Sequence, residues 1–425
     1  MTNFIKELQW RGMIHDMMPG TEEQFAKEMT SAYIGFDPTG DSLHIGSLVQ
    51  IMILVHLQKA GHKPFALVGG ATGMVGDPSG KSKERNLLDT TTLNHNLACI
   101  QRQLEQFLDF ESSKNGAEVV NNYDWFKDFN FLDFIRDVGK HISVNYMLAK
   151  DSVKSRLETG MSFTEFSYQL VQGYDFYWLW QHKNCKVQLG GSDQWGNIVT
   201  GTELIRRKGG GEAFACTTPL IKKADGSKFG KTESGNVWLD AKKTSPYQFY
   251  QYWLNASDED AVNYIKIFTL KGQSEIEEII AAHAEAPHLR ALQIALAEDI
   301  TIRVHGENAL KDAQQASKVL FGKSSLEDLL TVNQNSLESA FDKDNTFEIA
   351  KSKIEEGIPV LDLVAAETNI FPSKGEAKRM IKGNGLSIKK EKVNDDNALI
   401  GTQHLIHNKY LFVQRGKNFY LIKTV

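Results

Sequence analysis

Residues 33–47 read Y-I-G-F-D-P-T-G-D-S-L-H-I-G-S. The apolar run that ends at Phe36 predicts a strand, the following Gly, Asp and Pro residues predict a loop, and the apolar run 48–59 predicts a helix. The first turn of a helix leaves backbone N–H groups unpaired and carries the positive end of the helix dipole. The stretch therefore predicts a phosphate-binding turn, where His44 supplies a donor and Gly46 leaves room for a ligand against the backbone.

The composition is that of an ordinary globular protein. The chain has 425 residues, enough for two or three domains, with a hydrophobic share of 41% and a charged share of 24%. Its cysteines, Cys99, Cys185 and Cys216, are too far apart to suggest a disulfide framework or a cysteine zinc site, which favours a cytoplasmic location. No signal core or membrane-spanning run is found, so we expect no membrane association.

Charge is distributed unevenly along the chain. The formal net charge is -5, but residues 351–425 contain 13 Lys and Arg against 8 Asp and Glu. This C-terminal segment therefore carries a net +5, and the rest of the chain carries a net -10. A basic tail on an acidic body is typical of a chain whose tail binds nucleic acid.

Strand-like and helical runs alternate through the first half of the chain. The alternation predicts an α/β fold with a parallel sheet, whose ligands bind at the carboxyl ends of the strands. Aromatic residues crowd the segment 122–164, which we interpret as a helical insertion; the cluster forms core or, alternatively, a subunit interface. The predicted strands are Ser31–Phe36, Lys63–Val68, Glu118–Asn121 and 186–190.

Two glycine-rich stretches only partly match nucleotide-binding motifs. G-K-S at 80–82 resembles the end of a P-loop, but Val75 occupies the place of its first glycine. The stretch 70–76 follows a predicted strand but lacks the G-x-G-x-x-G spacing. It reads as a turn that closes on Asp77, whose carboxylate is equally expected to stabilise the turn or to face a ligand.

A lysine-rich stretch at 223–235 reads K-A-D-G-S-K-F-G-K-T-E-S-G. This composition is most often a solvated surface loop. However, Lys228 and Lys231 flank Gly230, so both ammonium groups can reach one polyphosphate, and Thr232 adds a hydroxyl. A mobile cationic loop suits a reaction in which charge develops on leaving pyrophosphate.

Two further segments carry candidate site residues. L-G-G-S-D-Q-W-G-N at 189–197 follows a strand; its glycines permit close approach of a flat ligand and Asp193 can bind a ribose diol, although a plain turn is the alternative. Tyr168, Gln172 and Asp175 share one face of a predicted helix. A polar stripe among apolar and aromatic neighbours favours a binding surface over a solvated face.

Together these segments resemble the bacterial-type tyrosyl-tRNA synthetases, a family of class I aminoacyl-tRNA synthetases, over essentially the whole chain. H-I-G-S at 44–47 resembles the class I His-Ile-Gly-His signature, and K-F-G-K-T at 228–232 resembles its Lys-Met-Ser-Lys-Ser counterpart. G-G-S-D-Q-W-G-N-I at 190–198 resembles a stretch of tyrosyl and tryptophanyl enzymes. Ser47 departs from the second histidine, and its shorter side chain would reach the nucleotide only through water or a small shift.

The resemblance implies a domain order. A Rossmann-like catalytic domain with a parallel sheet would be followed by an α-helical anticodon-binding domain and a small α+β RNA-binding domain. It also implies a homodimer with the insertion near the subunit contact. The implied boundaries are 1–222 for the catalytic domain, with the insertion at about 122–164, 223–240 for a mobile lysine loop, 241–325 for the anticodon-binding domain, 326–350 for a linker and 351–425 for the C-terminal RNA-binding domain.

The implied reaction has two steps. Tyrosine and ATP give tyrosyl-adenylate and pyrophosphate, and the tyrosyl group then passes to the 3′ end of tRNA(Tyr). A carboxylate attacks the α-phosphorus, so no protein nucleophile is required, and positioning and stabilisation of phosphate charge carry the catalysis. Mg²⁺ would accompany ATP, with no protein metal site and no permanently bound cofactor.

The resemblance also implies roles for individual residues. Tyr33 and Asp175 would bracket the substrate phenol, which donates to the carboxylate and accepts from the hydroxyl. The implied catalytic residues are His44, Lys228, Lys231 and Thr232. The implied tyrosine-binding residues are Tyr33, Asp77, Tyr168, Gln172, Asp175 and Gln194. The implied ATP-binding residues are Gly35, Asp37, Thr39, His44, Gly46, Ser47, Gly191, Asp193 and Lys231.

Three alternatives remain open. A tryptophanyl enzyme is disfavoured by the Tyr33 and Asp175 pair and by the C-terminal RNA-binding segment. An RNA-binding protein on an inactive synthetase body is disfavoured by the intact His44, Asp193 and lysine pair. Another α/β nucleotidyl transferase would not explain the basic tail.

Overall fold

The structure is a computed structural model in which most of the chain is described. It divides into two units, one formed by Met1–Lys243 with Ala256–Leu296 and the other by Thr244–Asn255 with Ala297–Val425. None of the helices in the described part of the chain has the length and apolar character of a membrane span. The described residues are 3–79, 88–151, 153–154, 160–232, 235–321, 325–341 and 343–425.

Both units contain strands and helices, which we number in chain order. The strands are β1 (Ser31–Phe36), β2 (Lys63–Val68), β3 (Glu118–Asn121), β4 (Cys185–Gly191), β5 (Phe214–Thr218), β6 (Lys231–Thr232), β7 (Gly235–Asn236), β8 (Thr346–Ile349), β9 (Ile358–Pro359), β10 (Leu386–Ile388), β11 (Glu391–Lys392), β12 (Leu399–Ile400), β13 (Tyr410–Arg415) and β14 (Asn418–Thr424). The α-helices are α1 (Phe4–Trp10), α2 (Thr21–Lys27), α3 (Ile45–Lys59), α4 (Thr72–Val75), α5 (Thr90–Leu104), α6 (Tyr123–Phe126), α7 (Phe131–Asp137), α8 (Val144–Leu148), α9 (Phe163–Lys183), α10 (Trp195–Leu204), α11 (Pro246–Leu254), α12 (Asp258–Phe268), α13 (Gln273–Glu285), α14 (Ala291–His305), α15 (Glu307–Phe321), α16 (Leu326–Thr331), α17 (Gln334–Ser339), α18 (Lys351–Glu356), α19 (Val360–Asp362) and α20 (Lys374–Lys382).

The first unit is built on a parallel five-stranded sheet with the order β3-β2-β1-β4-β5. The predicted α/β fold and the four predicted strands are confirmed, and β4 begins at Cys185, one residue before its predicted start. The fifth strand, β5, was not predicted, because F-A-C-T-T is short and shows no clear alternation. All residues of β4 except the half-buried Lys186 are buried, as expected for a parallel strand covered on both faces.

The register aligns the carboxyl ends of the central strands. Phe36 of β1 pairs with Val68 of β2, and Gly191 of β4 pairs with Thr218 of β5. The loops that follow these strands therefore leave from one edge of the sheet. Strand β1 lies between β2 and β4, so the strand order reverses there.

Helix α9 is fixed at both ends. Ser162 and Glu165 form a reciprocal capping box at its N-terminus. Asn184 ends it in the left-handed conformation at φ 52°. Its buried residues include Tyr168 and Asp175, because positions seven apart lie on the same face.

The segment predicted as a helical insertion contains α6, α7 and α8. Part of its aromatic cluster, including Trp125, Phe129 and Phe134, packs against the core of the first unit. Two neighbouring apolar side chains of α7, Phe131 and Leu132, are instead 63% and 76% exposed. The cluster thus contributes to the core while α7 leaves an apolar surface.

The second unit ends in a sheet with the order β11-β10-β13-β14-β8. Strand β8 lies in the segment expected to hold the linker, and it pairs in parallel with β14. Glu338 of α17 forms ion pairs with Lys409 and Lys423 of the same unit. Glu338 and β8 are therefore connected to the C-terminal sheet, Glu338 by its side chain and β8 by its backbone.

Candidate active site

The first of two neighbouring cavities has a volume of about 270 Å³ and is lined by residues of β1, β4 and α9. It lies beside the point at which the strand order reverses, which is the usual ligand site of an open α/β sheet. The predicted site residues that line it are Tyr33, Gly35, Asp37, Thr39, Asp77, Tyr168, Gln172, Asp175, Gly191, Asp193 and Gln194.

Asp175 is a buried carboxyl group with two donors. The Asn122 side-chain amide donates to Asp175 Oδ2 at 3.1 Å, and the Trp125 indole N–H donates to Oδ1 at 2.9 Å. Burial raises the pKa of Asp175 to about 8, although the two hydrogen bonds act in the opposite direction. Burial, together with the nearby Asp175, also raises the pKa of Tyr33 well above its usual range.

A chain of hydrogen bonds connects Asp175 to the loop after β1. The Asn122 Nδ2 that bonds Asp175 also donates to Thr72 Oγ1 at 3.1 Å. The Thr72 hydroxyl donates to Asp37 Oδ1 at 2.9 Å, and the Tyr168 hydroxyl donates to Asp37 Oδ2 at 3.1 Å. One connected network therefore orients both carboxyl groups.

Asp77 stabilises a turn and also lines the first cavity. Its Oδ1 accepts the backbone N–H of Ser79 at 2.9 Å, which closes the turn. Its Oδ2 accepts from Gln194 Nε2 at 2.8 Å, and Asp77 also lines the first cavity. The carboxylate stabilises the turn and lies at the cavity wall.

Several buried polar atoms around the first cavity have no hydrogen-bond partner among the described residues. They are the Tyr33 hydroxyl and the side-chain carbonyls of Gln50, Gln172 and Gln188, all of residues that line the cavity. A buried polar group without a partner costs about 1–3 kcal/mol. The cavity is therefore suited to a ligand that carries its own donors and acceptors.

The second cavity has a volume of about 590 Å³ and shares Asp37 and Thr39 with the first. It is also lined by His44, Ser47 and Lys231. Side chains from the turn before α3 and from the lysine loop therefore border the same space.

His44 caps α3 with its own ring. The ring nitrogen Nδ1 accepts the backbone N–H of Gly46 at 3.0 Å. In the neutral imidazole the proton is then on Nε2, which becomes a donor. A Cβ atom at Gly46 would lie 2.7 Å from His44 Cε1, so glycine is needed for this arrangement.

Two predicted residues, Lys228 and Gly46, are described and do not line either cavity. Lys228 is exposed, and its backbone pairs with Lys222. Gly46 contacts the His44 ring. Thr232 contributes its backbone to β6, while its side chain, the G-K-S motif at 80–82 and residues 233–234 lie outside the described part of the structure.

Sequence reasoning missed several residues of the site. Gln50 and Gln188 are polar positions within buried elements, α3 and β4, and that interruption of an apolar run was a usable signal. Thr72, Asn122 and Trp125 carried no such signal, because their role depends on contacts with residues 35 to 53 positions away.

Among the described residues, no group of three or more His, Cys, Asp or Glu side chains is placed to hold a metal ion. The polar groups of the site are hydroxyl, amide, carboxyl, imidazole and ammonium groups. Such a set can bind an amino acid and a nucleotide and can stabilise phosphate charge.

Comparisons with known proteins identify the family. Residues 26–322 match the family model of class I tRNA synthetases (W and Y), and residues 336–422 match the model of the tyrosine–tRNA ligase SYY-like C-terminal domain. The chain is 60% identical to the tyrosine–tRNA ligase of Porphyromonas gingivalis strain W83 over 99% of each chain. It is 59% identical to that of Bacteroides fragilis strain NCTC 9343, again over 99% of each chain.

A solved structure supports the same family. The C-terminally truncated mitochondrial tyrosyl-tRNA synthetase of Aspergillus nidulans is 30% identical, with a TM-score of 0.68 over 76% of this chain and 95% of that chain. The chain therefore belongs to the tyrosine–tRNA ligases, class I tRNA synthetases that activate tyrosine with ATP and transfer it to tRNA.

Proposed function

We propose that the two cavities are halves of one active site, with tyrosine and the ribose of ATP in the first and the phosphates of ATP in the second. Asp37 and Thr39 line both cavities, which supports placing the reacting groups beside them. A tyrosine carboxylate oxygen forms a bond to the α-phosphorus while the bond from that phosphorus to the leaving pyrophosphate breaks. Positioning and charge stabilisation carry this step without a protein nucleophile.

The observation that carries the proposal is the pair formed by Tyr33 and Asp175. The Tyr33 hydroxyl has no partner among the described residues, and the Asp175 carboxyl is buried beside it. A substrate phenol donates to Asp175 and accepts from Tyr33, so it satisfies both groups. Phenylalanine satisfies neither group, and the indole of tryptophan has a donor but no acceptor.

The other end of the substrate tyrosine carries an ammonium and a carboxylate. Asp77, Tyr168 and Gln172 are assigned to the ammonium, because they supply a negative charge, a hydroxyl and an amide carbonyl without a described partner. Gln194 is assigned to the carboxylate. Because Gln194 also donates to Asp77, it orients the ammonium site as well.

The second cavity is assigned to the phosphates of ATP, while Gly35, Gly191 and Asp193, which line the first cavity, are assigned to the rest of the nucleotide. The positive end of the α3 dipole and the Nε2 donor of His44 favour phosphate there. Mg²⁺ enters with ATP as part of the substrate. The assigned ATP-binding residues are Gly35, Asp37, Thr39, His44, Gly46, Ser47, Gly191, Asp193 and Lys231, and the residues assigned to the leaving pyrophosphate are Lys228, Lys231 and Thr232.

The wider assignments concern the whole chain. We infer that the chain forms a homodimer, since the exposed apolar side chains of α7 offer a subunit contact. Sedimentation of the intact chain would measure its oligomeric state. We also assign the protein to the cytoplasm. The anticodon-binding segment 241–325 and the basic segment 351–425 are assigned to tRNA. The catalytic domain 1–222, the lysine loop 223–240 and the linker 326–350 complete this division.

Two aspartate substitutions in the first cavity separate its tyrosine-binding part from its ribose-binding part. Asp175→Ala should abolish measurable tyrosine binding and activation while ATP binding is retained. Asp193→Ala should raise the KM for ATP by about tenfold or more with an unchanged tyrosine Kd, because it removes a hydrogen bond to the ribose. The exposed Asp128→Ala is the matched control and should change neither. Normal tyrosine binding in Asp175→Ala would refute the assignment.

A further inference from the structure

The lysine-rich stretch 223–235 contains one aromatic residue, Phe229, and α12 holds its side chain. The Phe229 ring stacks on Phe268 with centroids 5.4 Å apart and an interplanar angle of 16°. It also contacts the ring of Tyr264, with centroids 5.1 Å apart. Tyr264 and Phe268 are buried and lie one turn apart on α12. Phe229 directly follows the exposed Lys228 and precedes the buried Gly230. The socket formed by Tyr264 and Phe268 therefore holds the loop next to its lysines.

A second contact joins the start of the loop to the same helix. Asp260 in the first turn of α12 accepts the backbone N–H of Ala224 at 2.9 Å. The other oxygen of Asp260 accepts from the Ser257 hydroxyl at 2.8 Å, which fixes the carboxylate in place. The loop is therefore attached near both ends of α12.

Helix α12 is itself fixed within the first unit. The buried Arg11 guanidinium donates to the carbonyls of Thr269 at 2.9 Å and Lys271 at 2.7 Å, and also to that of Lys266. Carbonyls at a helix C-terminus lack partners inside the helix and favour a nearby cation. Helix α12 also packs against α3, the helix that begins after His44.

The C-terminal part of the loop is hydrogen-bonded to the turn at the start of α3. The carbonyl of Gly230 accepts the N–H of Val237 at 3.0 Å, and the carbonyl of Val237 accepts the N–H of Ile45 at 3.0 Å. A Cβ atom at Gly230, whose φ is +83°, would lie 3.2 Å from Ile45. The backbone between Lys228 and Lys231 is thus held on one side by this turn and on the other by the aromatic socket.

We propose that Tyr264 and Phe268 of α12 form a socket for Phe229 that sets the position of Lys228 and Lys231 for the pyrophosphate-releasing step. Neither socket residue lines the two cavities, so both act as positioning residues through the loop. The proposal rests on the assignment of the lysines to pyrophosphate. The socket should affect the phosphate half of the reaction and leave tyrosine binding alone.

Substitution of the loop aromatic tests the socket. In single-turnover adenylate formation at saturating ATP, Phe229→Ala should lower the rate by about 3- to 10-fold, the range expected for the loss of an aromatic pair. The pyrophosphate concentration needed for half-maximal reversal should rise similarly, while the tyrosine Kd stays unchanged. Phe229→Met should restore most of the rate, because its apolar side chain can fill the socket. The half-buried Phe107→Ala, outside both cavities, is the matched control and should behave as wild type.

A double-mutant cycle completes the test. Phe268→Leu should lower the rate like Phe229→Ala, and the double variant should be no slower than the slower single variant, because both remove the same contact. An unchanged rate in Phe229→Ala, a parallel loss of tyrosine binding, or additive losses in the double variant would each refute the socket. If the wild-type chain itself failed to exchange pyrophosphate with tyrosine, the assignment of the site would fail instead.

Discussion

Asp175 lies where burial and hydrogen bonding oppose each other. Burial favours the neutral carboxyl and raises its pKa to about 8, while Asn122 and Trp125 stabilise the charged form. The raised pKa means that the carboxyl retains a proton over part of the neutral range in the free protein. The proton state of Asp175 is therefore linked to the stability of the fold.

The pKa of Asp175 predicts a pH dependence of stability. An unfolded aspartate has a pKa of about 3.9, so between about pH 4 and pH 8 the folded chain binds a proton that the unfolded chain does not. Wild type should thus lose stability relative to Asp175→Asn as the pH rises through this window, by on the order of a few kcal/mol. Melting temperatures of both chains between pH 4.5 and 8.5 measure the difference. The exposed Asp128→Asn should show no such trend, and parallel curves for wild type and Asp175→Asn would contradict the account.

The sequence predicted the residues of the site that belong to motifs or share a helix face. Tyr168, Gln172 and Asp175 do line one cavity, because helical periodicity alone places them together. Asn122 and Trp125 could not be predicted, since they lie 53 and 50 residues from Asp175 and meet it only through the tertiary fold. Trp125 was interpreted only as part of an aromatic cluster, and its indole N–H gave no sign of its partner.

At the scale of elements, the start of α3 joins a helix cap to a proposed phosphate site. His44 uses Nδ1 to cap the helix, which leaves the proton on Nε2. Gly46 leaves the space that the ring occupies. Besides His44, the residue of the H-I-G-S signature on which this geometry depends is therefore Gly46.

Adding one methyl group at Gly46 should disturb this turn. In Gly46→Ala the new Cβ would press on the His44 ring, break the cap bond and displace Nε2. We expect kcat/KM for ATP to fall on the order of 10- to 100-fold, with an unchanged tyrosine Kd. Gly272→Ala is the matched control, because it stands before α13 with no atom within 4 Å of the added Cβ. Equal kinetics for the two variants would mean that the His44 ring does not contact the phosphates.

The elements differ in how well the sequence predicted them. The long helices α3 and α9 and the buried strands β1 and β2 were predicted, because their length and their apolar runs are visible in the sequence. Strand β5 was missed, because a five-residue strand is defined mainly by its pairing with β4. Strand β8 was missed for the same reason, since it forms by pairing with β14 at the far end of the chain.

At the scale of the whole molecule, the basic segment 351–425 predicts an electrostatic contribution to tRNA binding. Lys382 and Lys417 are exposed in this segment. Replacing both by Gln should weaken tRNA binding and reduce the slope of log affinity against log salt by about one to two units, because each phosphate contact releases a counterion. Filter binding between 50 and 200 mM salt measures the slope. The same replacement at Lys6 and Lys114, both exposed in the first unit, is the control and should leave the slope unchanged. An unaltered slope in the Lys382 and Lys417 variant would show that Lys382 and Lys417 do not contact the tRNA.

The proposed function depends most directly on activation of tyrosine through the Tyr33 and Asp175 pair. Exchange of labelled pyrophosphate into ATP measures that step without tRNA. We expect exchange with tyrosine, little or none with tryptophan or phenylalanine, and none with tyrosine in Asp175→Ala. Exchange driven by tryptophan, silence with every amino acid, or normal tyrosine-dependent exchange in Asp175→Ala would contradict the proposed function.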